Sequence, residues 1–144
     1  MHTVHLALRH QDPAGVRGLF AKLIRMRLVT AYPHAGVSIG ADMYHSTLTH
    51  GVHDDTVDTA GWLLVPTPVP YSVAMARIDS RMGTRYDWVS LLAFLLPFRI
   101  TWSKADYCYE FVWYVLTGQQ HSGPVTAESL LALVAQMNAQ KNKD

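Results

Sequence analysis

Nucleophilic and acid–base chemistry in this chain of 144 residues rests on one cysteine and eight histidines. The cysteine, Cys108, stands in "KADYCYEFVWYVL", residues 104–116. A nucleophilic thiol needs a base within hydrogen-bond reach, and that base needs a third group to orient it. Cys108, Phe111, Val112 and Val115 recur at i, i+3, i+4 and i+7, the spacing of a buried helical face. Free cysteine is among the most buried residue types, so this spacing alone reads as core. Asp106, two residues earlier, is the expected N-cap and would place Cys108 in the first helical turn. Unpaired N–H groups and the positive end of the helix dipole stabilise an anion there and lower a thiol's pKa. Both readings of Cys108 stay open at this level.

The histidines fall into two groups. "HAGVSIG" alternates with period two, and "MYHSTLT" follows as a returning strand, so the two predict a hairpin turning at Ala41-Asp42. Ser38 would then face His45, and residues paired across strands share a face. His34, Gly36, Ser38 and His45 would all point the same way, with small Gly36 and Ser38 leaving room for two imidazoles. The same pattern also fits two partly exposed histidines on a polar strand face. "HSTLTHGVHDD" gathers His45, His50, His53 and two aspartates. Zinc takes such ligands, but their spacing fits no compact zinc signature. No metal and no cofactor are expected. His2, His5, His10 and His121 read as surface residues.

The elements that must position these groups are those of an α+β domain: a small antiparallel sheet with four or five helices. "TVHLALRH" predicts a first strand, broken at Asp12-Pro13. "AGVRGLFAKLIRMRL" predicts an amphipathic helix over 14–28. "GVHDD" (51–55) reads as loop and "GWLLVPTPVP" as a short buried strand ended by prolines. "SVAMARIDSRMG" predicts a helix stopped at Gly83, and "YDWVSLLAFLLPF" a hydrophobic helix stopped at Pro97. The cysteine helix should run to about Thr117, before Gly118. "TAESLLALVAQMNAQ" should close the chain with Thr126 as N-cap and Glu128 in the first turn.

The totals set further bounds. The length fits one domain over 1–144. Hydrophobic residues at 49% and charged residues at 16% describe a globular chain. A formal net charge of +1 provides no field for nucleic acid, so none is expected as a partner. A single cysteine excludes an internal disulfide. The start lacks the apolar core of a signal peptide, and the run from Trp88 to Phe98 is too short for a membrane span. Synthesis in the cytoplasm is expected.

Three segments together resemble a known family. "MGTRYDW" followed by "ADYCYEFVWYVL" is similar to the Gly-x-x-Tyr-x-Trp and Asp-Cys signatures of NlpC-type papain-like cysteine hydrolases. "HAGVSIGADMYHS" resembles that family's His-x-Gly-x-x-x-Gly strand, and "PVTAESLLALV" resembles a helix that follows the cysteine in YiiX-like chains. The histidine segment precedes the cysteine segment, the order of the circularly permuted branch that includes YiiX-like and lecithin:retinol acyltransferase proteins. The likeness covers about residues 30–135. It implies Cys108 as nucleophile, His34 as its base and His45 as the group orienting His34. It also implies that Tyr86 helps the Cys108 N–H hold an oxyanion. Relatives carry a small residue where this chain has Tyr109, which would narrow or block the site.

The resemblance implies a cysteine-dependent amidase or endopeptidase acting on bacterial cell-wall peptides. A phage-encoded, tail-associated protein would have a route to that substrate. An acyl hydrolase or acyltransferase acting on a lipid ester or thioester is the second expectation, motivated by the apolar stretch 88–98. Membrane contact would need that stretch exposed, and a buried core helix fits it better. The third expectation is a non-catalytic module of a phage particle, binding other structural proteins and retaining the fold.

Overall fold

The computed structural model describes residues 2–10, 22, 26, 31–47, 49–56, 58–85, 107–123 and 125–143. Among these, five strands form one sheet: β1 (Val4–Arg9), β2 (His34–Ile39), β3 (Asp42–Thr47), β4 (Gly51–Thr56) and β5 (Trp62–Pro66). Three helices accompany them: α1 (Tyr71–Asp79), α2 (Cys108–Thr117) and α3 (Ala127–Lys141). The strand order is β4-β3-β2-β1-β5, and every neighbouring pair is antiparallel. The α+β class is therefore as expected, with three helices described in place of four or five. The expected helix in "YDWVSLLAFLLPF", with Tyr86 at its start, lies outside the described residues. So does the helix over 14–28, apart from Lys22 and Met26, which are helical. No helix among the described residues is long and apolar enough to cross a membrane.

Period-two alternation divides the sheet into two unlike faces. Val4, Leu6 and Leu8 of β1 pair with Ile39, Val37 and Ala35 of β2, and all six are buried in the core. The cysteine helix α2 packs on β2 and β3, α3 packs on β1, and α1 packs on α2. Phe111, Val112 and Val115 of α2 are fully buried, as their spacing predicted. Each such side chain contributes roughly 1.5–3 kcal/mol by leaving water. The opposite face carries the alternate residues: His5 opposite Ser38, Ala7 opposite Gly36 and Arg9 opposite His34.

The hairpin differs from expectation in register. Ile39 pairs with Asp42, so the two-residue turn is Gly40-Ala41, with Gly40 at φ 64. A two-residue hairpin loop demands that left-handed backbone, and glycine supplies it without steric cost. The slip relative to the expected pairing is two residues, so the faces are preserved. Ser38 now faces Met43, and Gly36 takes the place beside His45. A Cβ on Gly36 would lie 3.0 Å from the Tyr44 carbonyl oxygen and 3.2 Å from the His45 Cβ. Glycine here admits the histidine.

"GVHDD" is strand rather than loop. β4 pairs with β3 along its whole length, from Asp42 opposite Thr56 to Thr47 opposite Gly51. Glycine and aspartate are poor strand formers, but ladder hydrogen bonds and the buried Val52 side chain override that preference. The start of β4 is covered in turn: the Val52 N–H donates to the Thr84 carbonyl at 2.8 Å, and the Gly83 N–H to the Val52 carbonyl at 2.9 Å. Gly51, at φ 67, would put a Cβ 2.0 Å from the Thr84 oxygen. β5 is a half-buried edge strand, not a buried one. The α1 helix ends at Asp79, four residues before Gly83, with Ser80 as C-cap.

The other helix ends agree with the sequence. Gly118 closes α2 in the left-handed conformation. Arg77 of α1 donates to the Val115 and Leu116 carbonyls at 2.8 and 2.9 Å, where the helix's negative end favours a cation. Thr126 caps α3 and forms a reciprocal capping box with Ser129.

Candidate active site

The start of α2 meets the start of β2. Cys108 is the first residue of the helix, and Tyr107, not Asp106, is the N-cap. Asp106 lies outside the described residues. Tyr107 is fixed from its far end, its hydroxyl accepting from the Val125 N–H at 2.8 Å and donating to the Val125 carbonyl. Tyr109, fully buried, donates its hydroxyl to the carbonyl of Tyr32, two residues before His34. That hydrogen bond ties the helix start to the strand start. The ring expected to narrow the site is thus a core side chain fastening two elements.

The Cys108 side chain lies within the core, 2% exposed. The backbone N–H groups of Ala35, Tyr109 and Cys108 act on the thiol and favour its anion. Burial outweighs them and pushes the thiol up to about 12. A charged sulfur there would lose its hydration, and three amide dipoles do not replace it.

His34 and His45 do come together. His34 Nε2 lies 3.0 Å from His45 Nδ1, one ring donating and the other accepting. Trp62 of β5 lies edge-on to His34, with ring centroids 5.8 Å apart. Burial, then the neighbouring His45, Arg9 and His53, lower His34 to about 3. Burial and then His53 lower His45 to about 4. At neutral pH both rings are uncharged.

The thiol and the imidazoles reach the same point of the chain from different sides. Cys108 sits in the helix-covered core against the Ala35 amide, while His34, one residue earlier, opens onto the other face. Among the described residues no hydrogen bond joins the thiol to His34. The arrangement is a neutral thiol beside a strand that begins with a neutral, oriented imidazole. Tyr86, the remaining residue implied by the resemblance, lies outside the described residues.

Sequence reasoning set one further group aside, because the spacing of His45, His53 and the neighbouring aspartates fits no compact zinc signature. His53 stands directly opposite His45 in the β3–β4 ladder, with ring centroids 4.6 Å apart. Asp55 lies two residues further along the same face. The alternation of "HDD" next to a strand carrying His45 was the available signal, and reading 51–55 as loop concealed it. No protein-family model, curated protein or solved structure matches the chain.

Proposed function

We propose that the chain is a cysteine-dependent hydrolase of amide bonds, with bacterial cell-wall peptides as substrate class. The supporting observation is the thiol at the first turn of α2 lying against the amide of Ala35, the residue that follows His34, whose Nε2 is in turn held by His45. His34 Nδ1 is the ring atom left to take a proton. In this reading the Cys108 sulfur attacks the carbonyl carbon as its proton passes to His34 Nδ1. The amine leaves with that proton, and water hydrolyses the thioester with His34 again as base. Tyr86 and the Cys108 N–H are assigned to the oxyanion, as the likeness to NlpC-type hydrolases implies. A virion-associated protein would meet its substrate from outside the cell.

The test is release of soluble muropeptides from purified sacculi. Wild type should release them and Cys108→Ala should not; equal release by both removes the thiol from the mechanism. A second reading, a non-catalytic module of a phage particle, draws on the burial of Cys108. It expects no hydrolysis by wild type and full partner binding by Cys108→Ser. The acyl-transfer reading rested on the stretch 88–98, which lies outside the described residues.

A further inference from the structure

The sheet face opposite the one on which α2 and α3 pack holds an arrangement that the proposed hydrolysis does not use. His45, His53 and Asp55 offer one ligand atom each, and these atoms all lie within 4.8 Å of one another. His53 and Asp55 are alternate residues of β4, so they share a face, and His45 stands across the ladder from His53. Backbone geometry, not side-chain chance, sets this triangle.

The hydrogen bonds around it engage Nδ1 of each histidine and leave Nε2 as the nitrogen to bind. His53 Nδ1 lies 3.0 Å from the Gly51 carbonyl, which can only accept, so the proton is on Nδ1 and Nε2 keeps its lone pair. A metal-bound histidine is oriented in this way, its second nitrogen donating to a backbone carbonyl. His45 Nδ1 is engaged by His34, and its Nε2 is buried with no hydrogen-bond partner among the described residues. The residue is 7% exposed. An orphaned polar atom at such depth calls for an explanation. Thr47 Oγ1, two residues along the same strand face, is also buried and has no partner among the described residues.

We propose that His45 Nε2, His53 Nε2 and the Asp55 carboxylate form a binding site for a zinc-class divalent transition cation. Two imidazoles and a carboxylate suit such an ion rather than calcium or magnesium. Ligand bonds of about 2.0–2.1 Å on a tetrahedral centre set ligand atoms about 3.3 Å apart. The site therefore closes by up to about 1.5 Å, with exposed Asp55 free to make most of the movement. Three protein ligands leave a fourth position open to water or another group.

Occupancy has a consequence that rests on the hydrolase reading. A cation on His45 Nε2 obliges the other nitrogen of that ring to carry the proton and donate to His34 Nε2. His34 then holds its own proton on Nδ1 and cannot accept one from Cys108. Zinc would switch off the base through one shared hydrogen bond.

Binding is tested on the full chain, stripped with chelator and titrated with Zn2+ by calorimetry, with Co2+ absorption reporting geometry. Wild type should take up one equivalent, and His53→Ala and Asp55→Asn should each lose at least tenfold in affinity. The exposed His121→Ala should bind as wild type, and Cys108→Ala likewise. Both site variants change residues at the accessible end of β4, and circular dichroism verifies their fold. No uptake by wild type, or equal uptake by Asp55→Asn, overturns the site. Loss of binding in Cys108→Ala also overturns it, since the thiol would then be the ligand. None of these readouts needs catalysis, so a failed hydrolase assay leaves this result standing. Where hydrolysis is detected, zinc should inhibit wild type and spare Asp55→Asn.

Discussion

Alkylation of Cys108 measures directly whether burial or amide dipoles govern the thiol. Burial raises it from 9.0 to about 12. At pH 8 the thiolate share then falls from about one in ten to about one in ten thousand, because each pKa unit is tenfold. The nucleophile toward iodoacetamide is the thiolate, so the native protein should react about 1000-fold more slowly than the urea-unfolded chain. Exclusion of the reagent from a side chain 2% exposed slows it further. Mass spectrometry of timed aliquots gives both rates from pH 6 to 10. The native rate should climb tenfold per pH unit across that window without levelling, and His34→Ala should leave this profile unchanged. A native rate within tenfold of the unfolded one, or a plateau below pH 8.5, would refute the burial argument. A plateau that moved upward in His34→Ala would instead establish a thiolate–imidazolium pair in the resting protein.

Three further outcomes follow from the same geometry. His34 and His45 stay neutral down to about 3 and about 4, whereas an unfolded histidine titrates at 6.5. Above pH 6.5 neither state binds the proton; below it the unfolded chain does, so stability falls with acid until the folded values are reached. The loss should be about 1.4 kcal/mol per pH unit for each neutral ring, and urea midpoints that are flat between pH 6.5 and 4.5, with chelator present, would contradict it. Gly36→Ala should cost about 1–3 kcal/mol and disturb the His34–His45 contact, because the added methyl meets the Tyr44 carbonyl at 3.0 Å; an unchanged midpoint and unchanged imidazole NMR shifts would count against it. Arg77→Met keeps the stem but removes two charge-assisted hydrogen bonds to the end of α2, and should cost on the order of 2 kcal/mol in urea unfolding.

What the sequence disclosed and what it withheld divide along physical lines. Side-chain periodicity is local, so the buried face of α2, the alternation of β1 and β2 and the caps at Gly118 and Thr126 were all legible. That His34 and His45 share a face was legible too, because a register error of two residues leaves every side chain on its proper face. Burial of the thiol was not, since a helix start can face solvent or core and only long-range packing decides. Nor was β4, whose composition argues for a loop and whose strand character comes from β3 on one side and the Gly83–Thr84 backbone at its start. The cluster of His45, His53 and the aspartates was noticed and set aside on its spacing, because His53 and Asp55 acquire a common face only when they are extended. His45 joins the two halves of the argument. One ring nitrogen meets His34 on β2 and the other is left for β4, so its single proton cannot serve the base and leave the cation site open at the same time. Any chemistry that draws on one of these neighbours is therefore felt by the other.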